Sequence, residues 1–572
     1  MRERDHEHAV RKHLLLLVAA ALAVTGAAVP TGAAGTRATG NHTGEATGLE
    51  TAAAAAAAVP GRWAMADESA LTTEALLDSL QRTAFLYFWR EANPVNGLIR
   101  DRSQNWSPCS IAAQGFGISA ICIGIDHGWV TREAGRDRIL LGMQTLWNGP
   151  QGDAQYGTNG YRGLFYHFLD INSGVRTWSS ELSTIDTALL MAGVLDARRY
   201  FDRAESGDQA VRALADSLFN RVDWQFMTAG GGALLMGWKP ETGFSGYSYW
   251  IGYNEAMILY LMALGSPTFP VIDIVWNTWT TGYDWQTHYG QTYVVFPPLF
   301  GHQYSHCWVD FRGIRDAYMR NRGIDYFENS RRATLAQQAY CIANPGGWAG
   351  YDSLTWGLTA SDDPDGYLAH GAPPAQNDNG TITPTAVAGS IPFAPEIVIP
   401  TLHNFYDAFG TMLWGEYGFK DAFNLTQFWW GQDYIGIDQG PIIIMIENYL
   451  TESVWDRMML DPVIQTGLQR AGFQPVTPVP PGGGVSFLKL EQNTPNPFQG
   501  ATTIAYRLDR GGPVNLRVYD LRGRCVRTLV DSDQVEGPHQ VTLEALGLPS
   551  GVYLYALESR GKVAWRRCIL VQ

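Results

Sequence analysis

Gly246-Tyr-Ser-Tyr-Trp-Ile-Gly-Tyr-Asn-Glu255-Ala-Met-Ile-Leu-Tyr-Leu-Met-Ala-Leu-Gly-Ser-Pro267 holds both kinds of segment from which the chain is built. Its first half is aromatic and glycine-rich, the composition of a loop that lines a surface. Its second half is a helix: Met257, Leu261 and Leu264 recur at helical spacing, and Gly265-Ser266-Pro267 ends it. Glu255 stands where loop becomes helix. The helix dipole favours a carboxylate in the first turn, and that alone would account for a glutamate there. Tyr247, Tyr249, Trp250 and Tyr253 suggest a second reason. Flat apolar faces desolvate a carboxyl group and raise its pKa, the condition a general acid needs near neutral pH.

Outward from this stretch the same alternation continues. Leu76, Leu80, Phe85, Phe88 and Trp89 mark a helix. Helical spacing also runs over 111–125, 138–147, 185–200, 211–219, 311–319, 326–342, 395–409, 441–450 and 462–471. Pro441 and Pro462 suit first turns. Between helices lie long loops rich in Gly, Trp, Tyr, Asn and Asp: 149–182, 224–253, 282–308, 345–382 and 410–437. Loops of that length in a compact domain usually carry function. A short hairpin is expected near Thr292 to Phe296. Helices with long loops and no fixed repeat period predict an α/α toroid rather than a solenoid, with the loops gathered at one end around a cleft.

The ends read differently. Arg11-Lys12-His13, the apolar run Leu14 to Val24 and Gly26-Ala27-Ala28 form a signal peptide over 1–34, too short to span a bilayer. An Ala/Gly/Thr-rich leader occupies 35–66, and the helical domain 67–474. Pro475-Val-Thr-Pro-Val-Pro-Pro-Gly-Gly-Gly484 is a linker over 475–484. From 485 to 572 the hydrophobic period is two, which predicts a small all-β sandwich. The net charge of −14 argues against nucleic acid as a partner. Six scattered cysteines form neither a disulfide scaffold nor a zinc site. Cys525 and Cys568 could pair after export or remain buried thiols.

Several blocks then become familiar. They are Gly163-Leu-Phe-Tyr-His-Phe168, Trp178-Ser-Ser-Glu-Leu-Ser-Thr-Ile-Asp-Thr-Ala-Leu-Leu190, Trp250-Ile-Gly-Tyr-Asn-Glu255 and Trp356-Gly-Leu-Thr-Ala-Ser-Asp-Asp-Pro-Asp-Gly-Tyr367. Thr383-Pro-Thr-Ala386, Pro395-Glu396, Ile435-Gly-Ile-Asp-Gln-Gly-Pro441 and Glu447-Asn-Tyr449 follow. Together these blocks resemble the bacterial glycoamylase-like family, which includes the endo-β-1,2-glucanases of glycoside hydrolase family 144. The resemblance runs from about Leu71 to Gly472. It implies an (α/α)6 toroid that hydrolyses glucan, and for that family β-1,2-glucan with inversion and without a metal. It implies a role for Glu255, and matches the Glu181 to Asp186 segment and Asp438 to acidic family blocks. Gln492-Asn-Thr-Pro-Asn-Pro-Phe498, Val518-Tyr-Asp-Leu-Arg-Gly-Arg524 and Leu548-Pro-Ser-Gly-Val-Tyr-Leu554 resemble type IX secretion sorting domains and the related FlgD-like immunoglobulin module.

Inverting glycosidases place two carboxyl groups roughly 6.5–9.5 Å apart, one protonated and one ionised. The catalytic candidates are Glu255, Asp186, Asp438 and Glu181. Ordinary explanations stand beside them: a cap-region acid for Glu181, an ion pair with Arg176 for Asp186, and an N-cap for Asp438. Substrate-binding candidates are Trp178, Tyr166, His167, Trp250, Tyr253, Trp356, Asp362, Asp363 and Tyr367. Asp362 and Asp363 also fit ordinary turn chemistry. Neither a metal nor a cofactor is expected. The expected protein is a secreted, periplasmic or cell-surface monomer acting on oligo- or polysaccharide, with the type IX machinery as an export partner. Three rival readings are an exo-acting or other-linkage hydrolase, a non-catalytic glucan-binding protein, and a helical lyase. The lack of a basic, uronate-binding stretch weighs against the lyase.

Overall fold

A computed structural model describes residues 71–476, 488–508, 511–520, 524–559 and 562–571. The expected signal peptide, the leader and residues 477–484 of the linker lie outside them. The chain divides into two compact units between Val476 and Thr477.

The first unit is mostly helical. Its helices in chain order are α1 Thr73–Arg90, α2 Ile111–Asp126, α3 Arg132–Asn148, α4 Thr184–Tyr200 and α5 Ser206–Arg221. Next come α6 Met257–Gly265, α7 Ile274–Thr280, α8 Phe300–Trp308, α9 Ala317–Arg322 and α10 Tyr326–Ala343. The last are α11 Pro384–Ala388, α12 Pro395–Leu413, α13 Gly436–Leu450, α14 Ser453–Met459 and α15 Pro462–Arg470. Two kinds alternate. Helices α2, α4, α6, α8, α11 and α13 are buried on nearly every side. Such all-round burial is the mark of an interior helix. Helices α1, α3 and α5 bury one stripe only, such as Ile139, Met143 and Leu146 of α3.

Each interior helix touches the next. α2 meets α4 backbone to backbone, because a Cβ at Gly193 would lie 2.0 Å from the Gly115 carbonyl oxygen. α4 packs on α6, and the Ile258 N–H of α6 donates to Ser305 Oγ of α8 at 3.0 Å. Gln303 of α8 donates to the Ala386 carbonyl of α11 at 2.8 Å. α11 packs on α13, and α13 returns to α2. The acidic candidates sit at the N-terminal ends of these interior helices. Asp186 is in the first turn of α4, Glu255 just precedes α6, and Asp438 is in the first turn of α13. The positive ends of three helix dipoles therefore converge on one region.

The structure departs from the expected helices in several places, and the short α7, α11 and α14 fall in none of the expected spans. The 311–319 segment is helical only from Ala317, where Asp316 caps α9 by accepting from the Met319 N–H at 2.8 Å. α13 begins at Gly436, so Pro441 lies inside it rather than in its first turn. Its missing N–H removes one helical hydrogen bond. α8 occupies a stretch expected to be loop; it is short, and its buried residues include the polar His302, Gln303, Ser305 and His306. The hairpin expected near Thr292 is present, with Trp285–His288 paired to Gln291–Val294.

The second unit is antiparallel β. Leu488–Leu490, Ala501–Leu508 and Gly537–Glu544 form a three-stranded sheet. Cys525–Gln534, Gly512–Tyr519, Gly551–Ser559 and Lys562–Leu570 form a four-stranded sheet. Thr502, Ile504, Tyr506 and Leu508 alternate inward, as period two requires. Ile504, Tyr506, Leu516, Val518, Leu543 and Leu557 share one core. Cys525 is exposed, Cys568 is buried, and neither is in a disulfide.

Candidate active site

Two carboxylate groups form the site. The first lies at the α4 and α6 ends. Ser183 caps α4: its Oγ accepts from the Asp186 N–H at 3.2 Å and donates to Asp186 Oδ2 at 2.5 Å. This is a side-chain N-cap in which the same hydroxyl also holds the Asp186 carboxylate. His167 Nδ1 lies 2.9 Å from Glu181 Oε1 and 3.7 Å from Asp186 Oδ2. Burial would lower the His167 pKa, but Asp186 and Glu181 outweigh burial and lift it to about 9. His167 is therefore an imidazolium at neutral pH, held between two carboxylates. Glu181 is correspondingly held low despite its burial. The ligand atoms of His167, Glu181 and Asp186 lie within 4.8 Å of one another, a spacing that could hold a cation. In the arrangement seen, the imidazolium supplies that positive charge.

Glu255 completes this group. Burial, reinforced by the negative charge of Asp186, pushes its carboxyl up to about 7. A carboxyl group at that value is protonated in a large fraction of molecules at neutral pH and can still lose its proton. Burial is the first cause, as expected of a desolvated carboxyl, and the Asp186 charge adds to it. Trp250 is buried and donates its Nε1–H to Thr184 Oγ1 at 3.0 Å. Tyr253 is also buried, its ring stacked 6.0 Å from that of Tyr326. Both side chains belong to the core of the helical unit and do not line a cleft.

The second group lies at the start of α13. Asp438 hydrogen-bonds Asp421, and burial raises the pKa of both. Asp421 Oδ1 and Asp438 Oδ2 have no donor from elsewhere among the described residues. Two adjacent buried carboxyl groups without donors share a proton, because both cannot ionise at close range. Asp421 Oδ2 accepts from the Asp362 N–H at 2.7 Å. Arg102 bridges the surroundings, with its guanidinium 3.0 Å from Asp362 and 3.2 Å from Asp433. Asp438 is thus not an N-cap; Ile435 occupies that position. Tyr304 of α8 is near enough to feel the charge of both Asp438 and Glu255. Asp101 links the clusters, bearing on His167 and Asp186 as well as on Asp438.

Several expected binding residues do not reach this region. Tyr166 is fully buried beneath the Arg176 guanidinium, 4.7 Å from its ring centre. Arg176 pairs with Glu241 at 2.7 Å, not with Asp186. Trp356 is fully buried and donates to Thr401 Oγ1 at 2.8 Å, so it is a core residue and cannot stack on a sugar. Asp363 does turn work, accepting from the Asp365 and Gly366 N–H groups at 2.8 and 2.7 Å. Tyr367 pairs across that hairpin with Asp362. It is half-buried and feels Asp438 and Asp421, so both reach the second group. Trp178 is 57 % exposed. Sequence reading passed over Asp101, Arg102, Asp421, Asp433 and Tyr304. Each stands alone in a polar loop or a missed helix, and no local pattern distinguishes it from a solvated charge.

Residues 247–462 match the family model described as "Putative glucoamylase", and residues 494–572 match "Secretion system C-terminal sorting domain". A Bacteroides uniformis crystal structure with the first of these descriptions is 36% identical, with a TM-score of 0.66 over 71% of this chain and 99% of that one. An endo-β-1,2-glucanase from Chitinophaga pinensis, solved with sophorotriose and glucose, is 31% identical, with a TM-score of 0.66 over 71% and 99%. A curated exo-β-1,2-glucooligosaccharide sophorohydrolase (non-reducing end) of Parabacteroides distasonis is 33% identical over 433 residues. That match takes in 70% of this chain, which spans 58% of the length of the relative. The fold and site define a helical protein with paired acid clusters at the ends of its interior helices. The chain belongs to the glycoamylase-like family, and it carries a secretion sorting domain.

Proposed function

We propose that this protein is an exported glycoside hydrolase that cleaves β-1,2-linked glucan with inversion, in an (α/α)6 toroid followed by a β-sandwich. The observation that carries the reading is the half-buried Glu255 carboxyl just before α6 together with the buried Asp421–Asp438 pair at the start of α13, both felt by Tyr304. Glu255 delivers a proton to the leaving glycosidic oxygen. Asp438 takes a proton from the attacking water. The imidazolium of His167 positions Asp186 and Glu181 beside the acid. The endo-acting relative from Chitinophaga and the exo-acting one from Parabacteroides both use β-1,2-linked substrate, which supports the linkage. They leave chain-internal or chain-end attack to be decided by product pattern. The sorting domain supports delivery to the cell surface or medium.

The test is a panel of α- and β-linked glucans, with products resolved by length and the first-formed anomer followed by NMR. The proposal expects turnover of β-1,2-glucan only and an α-anomeric product. Glu255→Gln keeps size but cannot deliver a proton, and turnover should fall roughly 10²–10⁴-fold with binding kept. A Glu255→Gln enzyme with more than about a tenth of wild-type turnover would remove Glu255 from the acid role.

A further inference from the structure

Trp106 and Trp178 are among the most exposed large side chains of the helical unit, at 63% and 57%. Their ring centres are 6.2 Å apart. The Trp178 ring lies 5.3 Å from that of Phe168, and Phe168 stacks on His167 at 3.9 Å. An unbroken run of flat faces therefore leads from solvent to the imidazolium beside Glu181 and Asp186.

Both tryptophans stand on segments that also carry the acid network. Trp106 is in the loop that bears Asp101 and Arg102. The Arg102 N–H donates to Ser107 Oγ at 3.0 Å, and the Asp101 N–H to the Pro108 carbonyl at 2.8 Å. Trp178 lies between His167 and Glu181. Its backbone is left-handed, at φ +54°, and Ser179 follows at φ +51°. Neither residue is glycine, and bulky residues in this region are held there at a cost that tends to accumulate at functional sites. The turn is fixed by the Ser180 N–H donating to the Thr177 carbonyl at 3.1 Å, and by Arg176 Nε donating to the Ser180 carbonyl at 2.6 Å. The same chain that holds Glu181 in place thus turns an indole out into water.

A soluble protein gains nothing in stability from two neighbouring indoles in solvent. A hexose ring offers an apolar face of C–H bonds, and aromatic faces are its usual partners. We infer that Trp106 and Trp178 form a distal stacking subsite, which holds a sugar residue of a long glucan more than one ring away from the bond that is cut. This inference rests on the hydrolase reading above and adds chain-length selectivity to it. The pair is a binding device, remote from the reacting atoms.

The experiment compares Trp106→Ala, Trp178→Ala and the double variant with wild type on linear β-1,2-glucooligosaccharides of increasing length and on polymer. Wild-type kcat/KM should rise with length. The variants should flatten that rise, losing on the order of tenfold on polymer, the size of one good contact. They should match wild type on the shortest cleaved substrate. Melting temperature should stay unchanged, since both side chains are exposed. Equal loss at every length, or no loss on polymer, would overturn the subsite. Wild type inactive on every β-1,2-linked substrate would instead overturn the hydrolase reading, and binding of unhydrolysed polymer by the variants would then decide the subsite alone.

Discussion

Glu255 and Asp186 form a tuned pair whose coupling has a definite sign. Burial lifts Glu255 to about 7, and the Asp186 charge adds to it. With Glu255 as the proposed acid, the alkaline limb of the kcat/KM profile should report this group. Asp186→Asn removes the neighbouring charge and should move that limb toward lower pH; an unmoved limb would mean that the two carboxyl groups are not coupled. Asp421 and Asp438 are separable in the same way. If Asp421 carries the shared proton at neutral pH, Asp421→Asn replaces one neutral donor by another. Turnover should then stay within about tenfold, while Asp438→Asn should lose roughly 10²–10⁴-fold. The reverse order would make Asp421 the base. That Glu255 and Asp438 stand at helix starts was legible from sequence, because each lies in a distinctive block. Trp356 and Tyr166 were misread for the opposite reason. Composition shows that a loop is aromatic but not which face of it turns inward, and both rings fill the core.

The ends of α13 show how one element joins function to stability. At its start lies Asp438; near its finish lies Glu447, almost fully buried. Glu447 Oε2 accepts from Gln81 of α1 at 2.9 Å and lies 2.8 Å from His127 Nε2. Its Oε1 accepts from Thr451 at 2.6 Å and from Ser453, the first residue of α14, at 3.1 Å. Burial alone would raise this carboxyl, but His127, Thr451 and Gln81 outweigh it and hold Glu447 at about 2. Its folded pKa lies below the ordinary value of 4.5, so its stabilisation is complete above that pH and is lost as pH falls toward 2. Glu447→Ala removes the carboxylate from four donors, of which Gln81 and Thr451 keep backbone carbonyls, and should cost about 3–5 kcal/mol, the usual result of breaking a buried pair. Denaturant unfolding at neutral pH measures this, and a loss below about 1 kcal/mol, the range of surface pairs, would show that water replaces the carboxylate. Long helices such as α10 were readable from periodicity. The short interior α8 was not, because it buries His302, Gln303, Ser305 and His306 along with its apolar residues, so polarity does not mark which face is inside.

At the scale of the whole chain, each unit has its own core. One gathers residues from Leu76 to Ala471, the other from Leu490 to Leu570, with no member in common. The sequence placed the linker start at Pro475, but the helical unit continues one residue beyond it. Gln474–Pro475 pairs with Ile314–Arg315, and the Val476 N–H donates to the Gly313 carbonyl at 2.7 Å. Phe473 closes an aromatic cluster, 5.3 Å from Trp276 and 5.8 Å from both Phe311 and Tyr326. Tyr326 in turn stacks on Tyr253, two residues before Glu255. A chain ending at Val476 should therefore keep wild-type turnover on soluble glucan and a two-state melt. A chain ending at Gly472 removes Phe473 and the strand pair, and should melt earlier and lose activity in step with its folded fraction. If the longer form also loses turnover while remaining folded by circular dichroism, the sorting domain contributes to the site, and the division of labour at Val476 is wrong.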